Sequence, residues 1–149
     1  MKTLKILSFL LALTLTNCAT TSNFAKNDLK NEFFKNKTIT FTQPDVKEAF
    51  KKSIEELAYE TKLDLKFTET SNTASTSEMN VDAEVTEILW VFNLSSATMK
   101  TTINYTLKND PKVHTINSNY KNMTAGNEKN NLIRTFKIAN YSLLKELEK

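Results

Sequence analysis

The chain has 149 residues, with 20 Lys and Arg against 17 Asp and Glu, a net charge of +3, and single copies of Gly, Cys, His and Trp. That length holds one domain, and a charge so near balance leaves no electrostatic footprint for nucleic acid. One glycine cannot build a phosphate-cradling loop, and one cysteine with one histidine cannot make the usual zinc sites, so no cofactor and no metal are expected.

Lys2 and Lys5 precede an almost wholly apolar run from Ile6 to Leu15. A run of about ten residues is half of what a membrane-spanning helix needs and fits the apolar part of a secretory signal, read as residues 1–17. The leader holds two lysines and no acid, so the net charge of the remainder falls close to +1. Cys18, the chain's one cysteine, follows directly.

Leu15-Thr16-Asn17-Cys18 resembles the lipobox of bacterial lipoproteins. Leu15 and Thr16 match the pattern, and Asn17 stands where Gly, Ala or Ser is usual. The resemblance implies cleavage before Cys18 and lipid on its sulfur and new amino terminus. With Ala19 next, and no retention-type aspartate, it also implies sorting to the outer membrane, facing the periplasm. Two or three acyl chains anchor stably where one binds only marginally. A plain secretory signal is the competing reading, but Asn17-Cys18-Ala19 is a poor site for ordinary signal peptidase, and it would leave a lone thiol in an oxidising compartment.

Residues 18–37 read as a lipidated N-terminus and polar tether carrying Phe24, Leu29, Phe33 and Phe34. Leu29 and Phe33, four apart, suit either a short amphipathic turn on the membrane or packing against the domain. A single α+β periplasmic domain is expected over 38–149. Thr38–Thr42 alternates, with Ile39 and Phe41 on one side, as a strand does. Pro44 and Asp45 then open a helix to about Thr61, with Val46, Ala49, Phe50, Ile54 and Leu57 on its buried face. Glu48 and Lys52 form a four-apart ion pair on its surface.

Leu63, Leu65 and Phe67 give a second strand, and Thr70–Ser77 a Ser/Thr-rich connection. In the long strand that follows, Val81, Ala83 and Val85 occupy one face, then Ile88, Trp90 and Phe92 the other. The switch near Thr86 predicts a bulge or twist. Leu89 and Val91 make this end apolar on both sides, so a cover is expected. Met99 to Leu107 alternates cleanly, Asn109-Asp110-Pro111 signals a turn, and Val113–Met123 is a strand carrying Ile116 and Tyr120. Asn127 caps a final helix whose buried stripe is Leu132, Phe136, Ala139, Leu143 and Leu147.

The order strand, helix, four-strand meander, helix predicts an α+β two-layer domain. It would have a mainly antiparallel sheet of about five strands under two helices on one face. Behind a lipobox, this order resembles the small outer-membrane lipoproteins of the lipopolysaccharide-assembly (LptE-like) or YajG-like kind. The resemblance is one of topology over Thr38–Leu147 and carries over no functional residue.

Asp82 and Glu84 stand two apart on a strand, about 7 Å from each other. They read as a solvated face against Lys100 rather than an acid–base pair. His114 shares a face with Ile116 and reads as a partly buried strand residue. The candidate partner surface is Arg134, Ile138, Tyr141 and Lys145, opposite the last helix's core stripe, together with Trp90. No enzyme activity is expected. The function expected is that of a membrane-anchored interaction module with an envelope protein as partner. The alternative is a binder of lipopolysaccharide or another amphiphile, using apolar sheet surface with Lys100 and Lys121.

Overall fold

The computed structural model describes Leu29 and residues 31–43, 45–69, 78–124 and 126–149. The leader, Cys18, Phe24, Pro44 and the connection at 70–77 lie outside the described residues. In chain order the elements are α1 (Asn31–Phe34), β1 (Thr38–Thr42), α2 (Lys47–Thr61), β2 (Asp64–Thr68), β3 (Glu78–Asn93), β4 (Ser96–Leu107), β5 (Asp110–Asn122) and α3 (Glu128–Leu147).

These strands form one mixed five-stranded sheet in the order β2-β1-β3-β4-β5. The expected mainly antiparallel meander holds only for β3, β4 and β5. β1 lies between β2 and β3 and runs parallel to both, with Thr38 level with Asp64 on one side and Glu78 on the other. For the β1–β2 pair the physical reason is α2. A helix between two strands acts as a crossover, and a crossover returns the second strand parallel to the first. At the far edge β5 starts at Asp110, three residues earlier than the turn signal suggests. An edge strand tolerates Pro111 because one side of its main chain needs no ladder partner.

One face of the sheet is mostly apolar, with Thr101, His114 and Ser118 its buried polar members. Ile39 and Phe41, Leu65, Val81 and Ala83, Met99, Ile103 and Tyr105, and Ile116 are all buried there. Both long helices cover that face. Phe50 of α2 packs against Phe41, and Phe136 of α3 against Phe50. The Ser118 hydroxyl of β5 donates to the Thr135 carbonyl oxygen at 3.0 Å.

α2 buries Ala49, Phe50, Ser53, Ile54 and Leu57. Val46, expected in that stripe, is instead the residue before the helix, 38% exposed with φ +53°. A β-branched residue rarely adopts this conformation, and no spacing rule signals it. The expected Glu48–Lys52 pair is replaced by Glu48 with Lys129 of α3 at 2.9 Å. α3 buries Leu132, Phe136, Ala139 and Leu143 as expected, with Leu147 partly buried. Its buried face is wider, adding Asn131, Ile133, Thr135, Asn140 and Leu144, because the helix packs on β4, β5 and α2 together.

Upstream of β1, Leu29 and Phe34 are buried in the core, and Phe33 is 38% exposed beneath the Lys37 ammonium. Packed structure therefore begins by Leu29 rather than at Thr38.

Asn127 caps α3 as predicted, its side chain accepting from the Asn130 N–H at 3.4 Å. Gly126 just before it has φ +58°, and a Cβ there would collide with the Asn122 side-chain amide. That amide already donates to Asn131 Oδ1 at 3.1 Å. Gly126→Ala should therefore destabilise the domain by about 1–2 kcal/mol, the cost of a non-glycine residue in the left-handed region. Urea denaturation of the two proteins checks it.

Candidate docking surface

The site is built on the bulge in β3. Pairing with β4 runs regularly through Val85↔Ile103, skips a residue, and resumes at Glu87↔Thr102. The extra residue is Thr86, and its hydroxyl donates to the Thr102 carbonyl at 3.2 Å. A strand's faces alternate strictly, so one inserted residue returns the next odd–even set to the original face. Ile88, Trp90 and Phe92 consequently stand opposite Thr101, Met99 and Ala97, on the helix side of the sheet. The predicted bulge is present, but the expected change of face is not: the inserted residue keeps Ile88, Trp90 and Phe92 on the face of Val81, Ala83 and Val85.

The hairpin end that results is apolar and largely open. Trp90 packs against the core, with Phe92 tilted against it at 4.6 Å between ring centroids. Trp90 Nε1 is buried with no hydrogen-bond partner among the described residues. Phe92 is 60% exposed, Leu94 at the turn is wholly exposed, and Ile88, Leu89 and Val91 are each about two-fifths exposed. The expected cover for this end is not found among the described residues. On the outer face, Leu89 lies opposite Lys100, and Val91 lies in one row with Thr98 and Lys121.

The predicted helix face is arranged differently. Arg134 donates to the Tyr120 hydroxyl and lies 5.1 Å over that ring, which ties the side chain to β5. Ile138 and Tyr141 are half-buried, and Tyr141 packs against the core. Lys145 is 3.8 Å from Glu148. Trp90 belongs to the hairpin end, so the structure does not join it to these four residues into one patch.

Asp82 and Glu84 are exposed as expected, but they face Thr106 and Asn104. Lys100 lies further along β4, opposite Leu89, so the expected carboxylate–lysine face does not form. His114 is buried beside Tyr105, its Nδ1 3.3 Å from Glu146 Oε2. Among the described residues no group of His, Cys, Asp and Glu is placed to hold a metal, and no helix is long and apolar enough to cross a membrane.

An open groove of about 820 Å³ lies between the starts of α2 and α3, lined by charged residues including Lys47, Glu48, Glu128 and Lys129. The Lys129 ammonium, by hydrogen bond and then by charge, holds the Glu48 carboxyl below its ordinary value of 4.5. A carboxylate with a depressed folded-state pKa contributes stability above its unfolded value, which is lost as pH falls through the folded one. Lys129→Ala should therefore return the Glu48 titration upward toward 4.5, a shift read by carboxyl-carbon NMR.

No protein-family model matches the chain, and no curated protein matches it. Among solved structures it is similar to a minor lipoprotein from Acinetobacter baumannii. The identity is 10%, over 76% of this chain and 91% of that one, with a TM-score of 0.44. It is also similar to a hypothetical protein from Chlamydia trachomatis, at 12% identity over 74% of this chain and 93% of that one, with a TM-score of 0.36. At these identities and scores neither similarity carries fold or function over to this chain.

Proposed function

We propose that this chain is a lipid-anchored outer-membrane accessory protein that works by contact rather than catalysis, joining an envelope assembly through the end of its β3–β4 hairpin. The observation that carries the reading is the open apolar end itself. Phe92 and Leu94 project from the tip with Leu89 and Val91 beside them, and an exposed apolar cluster rimmed by polar residues is what a docking surface presents. Leu15-Thr16-Asn17-Cys18 supports the location. β1 begins level with the start of β3, so the chain enters the sheet at the end opposite the hairpin tip. A tethered domain raises its effective concentration near membrane-bound partners, so a modest contact area suffices.

A photo-crosslinker placed at Leu94 in cells tests this, with Tyr59, exposed on α2, as the control position. Adducts at residue 94 that exceed those at residue 59 are expected. Equal or absent labelling at the two positions would contradict the contact role.

A second reading, an anionic amphiphile bound on the outer face, is favoured by the Leu89–Lys100 pair and the Val91–Thr98–Lys121 row. Lys100→Glu with Lys121→Glu would abolish binding to lipopolysaccharide vesicles on that reading. It would leave the Leu94 adducts intact on the first.

A further inference from the structure

We infer that the free edge of β3 pairs with the same edge of a second copy of this chain. This rests on the hairpin end being a contact surface, though not on the lipid anchor. β1 leaves β3 after Thr42↔Asp82, while β4 accompanies it to Asn93↔Ser96. From Ala83 to Asn93, one side of the β3 main chain therefore has no strand beside it among the described residues. Every residue from Glu84 to Ser95 is at least partly exposed, unlike β4, where exposure alternates. No backbone hydrogen bond outside the β3–β4 ladder reaches that run among the described residues.

Such an edge is a row of spaced N–H and C=O groups that only another extended polypeptide completes in register. Natural edges are usually blunted by lysine, proline or a bulge. β3 has a bulge, but it lies at Val85–Glu87, toward the β1 side. The run Ile88-Leu89-Trp90-Val91-Phe92-Asn93 beyond it has no charge and no proline, and it pairs regularly with β4.

The sequence of this run fits its own reverse. In an antiparallel pairing of two copies centred on Trp90, Ile88 stands opposite Phe92 of the second copy, on the helix side. Leu89 stands opposite Val91 on the outer side, and Glu87 meets Asn93. Apolar groups oppose apolar groups on both faces and no like charges meet, the arrangement that stabilises cross-strand pairs. The contact is two-fold and self-complementary, as closed dimers require. The chain's own segment 19–28 is a poor occupant, with Phe24 its one large apolar residue.

The full chain carrying Cys18→Ser, in mild detergent, provides the test, because any introduced thiol is then alone. Leu89→Cys and Val91→Cys chains should form a disulfide when mixed and oxidised, and far less when either is alone. The pairing brings residue 89 opposite 91 of the second copy, whereas identical positions lie beyond the roughly 7 Å Cα reach of a disulfide. Sedimentation of the Cys18→Ser chain should show a concentration-dependent dimer. Leu89→Lys with Val91→Lys, both half-exposed, should raise its midpoint roughly tenfold or more, each change counting twice across the two-fold.

A monomer up to the millimolar range, equal disulfide yield in single and mixed samples, or unchanged dimerisation in the double lysine variant would overturn the inference. So would a Leu94 photo-adduct consisting only of a different protein, which would leave the contact role standing. Loss of all specific Leu94 adducts would instead remove the contact role itself.

Discussion

Phe50→Ala should destabilise the domain by about 3–5 kcal/mol, the range for removing a buried aromatic ring. Phe50 is fully buried, and its ring centroid lies 6.4 Å from Phe41 of β1, 6.3 Å from Phe67 of β2 and 5.4 Å from Phe136 of α3. Its ring touches two strands and the other long helix at once. Truncation leaves a cavity that cannot collapse without moving all of them. Since domains of this size are stable by about 5–15 kcal/mol, the change removes much of the margin. Urea denaturation should show a lower midpoint with an unchanged slope. Tyr59→Ala on the exposed side of the same helix should stay within about 0.5 kcal/mol of the parent.

The second large effect is expected in the buried polar chain that ties the layers together. The Tyr105 hydroxyl donates to Asn140 Oδ1 at 2.6 Å, and Asn140 Nδ2 donates to Ser53 Oγ at 3.0 Å. The Ser53 hydroxyl in turn donates to the Phe50 carbonyl at 2.6 Å. The chain crosses from β4 through α3 to α2. Asn140→Leu strands a fully buried phenol and should cost about 1–3 kcal/mol. Tyr105→Phe strands the Asn140 carbonyl in the same way. The double variant Tyr105→Phe/Asn140→Leu strands neither group, so it should be less destabilised than the two single changes added together.

Burial also pushes the Tyr105 phenol well above its ordinary value of 10.0. Its folded value exceeds its unfolded one, so its contribution is complete below 10.0 and is lost as pH rises from there toward the folded value. Tm measured against pH should fall on the alkaline side, and Tyr105→Phe should flatten that fall.

What the sequence discloses about this fold is mostly local. The alternation from Met99 to Tyr105, the stripes of both long helices, the Asn127 cap and the bulge at Thr86 all follow from residue spacing. Spacing assigns side chains to faces; it does not choose neighbours. Spacing alone therefore leaves β1 beside a four-strand meander, whereas it lies inside the sheet. The strand–helix–strand order of β1, α2 and β2 itself favours a parallel pair. Glu48 chose Lys129 over Lys52 because the two helices meet at that point, a tertiary fact no four-residue rule contains.

The candidate surface divides in the same way. Strict alternation puts Leu89 and Val91 on the face of Val81, Ala83 and Val85; the bulge at Thr86 turns them to the outer face instead. That Trp90 and the Arg134–Lys145 face lie apart depends on where α3 crosses the sheet. The polar members of α3's buried face, Asn131, Thr135 and Asn140, carry no apolar signal at all. Their role is legible only from partners such as Tyr105 and Asn122.

Location and contact are separable, and location comes first. A hairpin end that joins an envelope assembly has its effect only if the chain is held at the membrane, and Cys18 is the residue proposed to hold it. Mass spectrometry of the N-terminal peptide from the native protein tests this most directly. A mature chain that begins at Cys18 and carries lipid on its sulfur and an acyl group on its amino terminus is expected. An unmodified Cys18 thiol, or a mature terminus beyond residue 18, would contradict it.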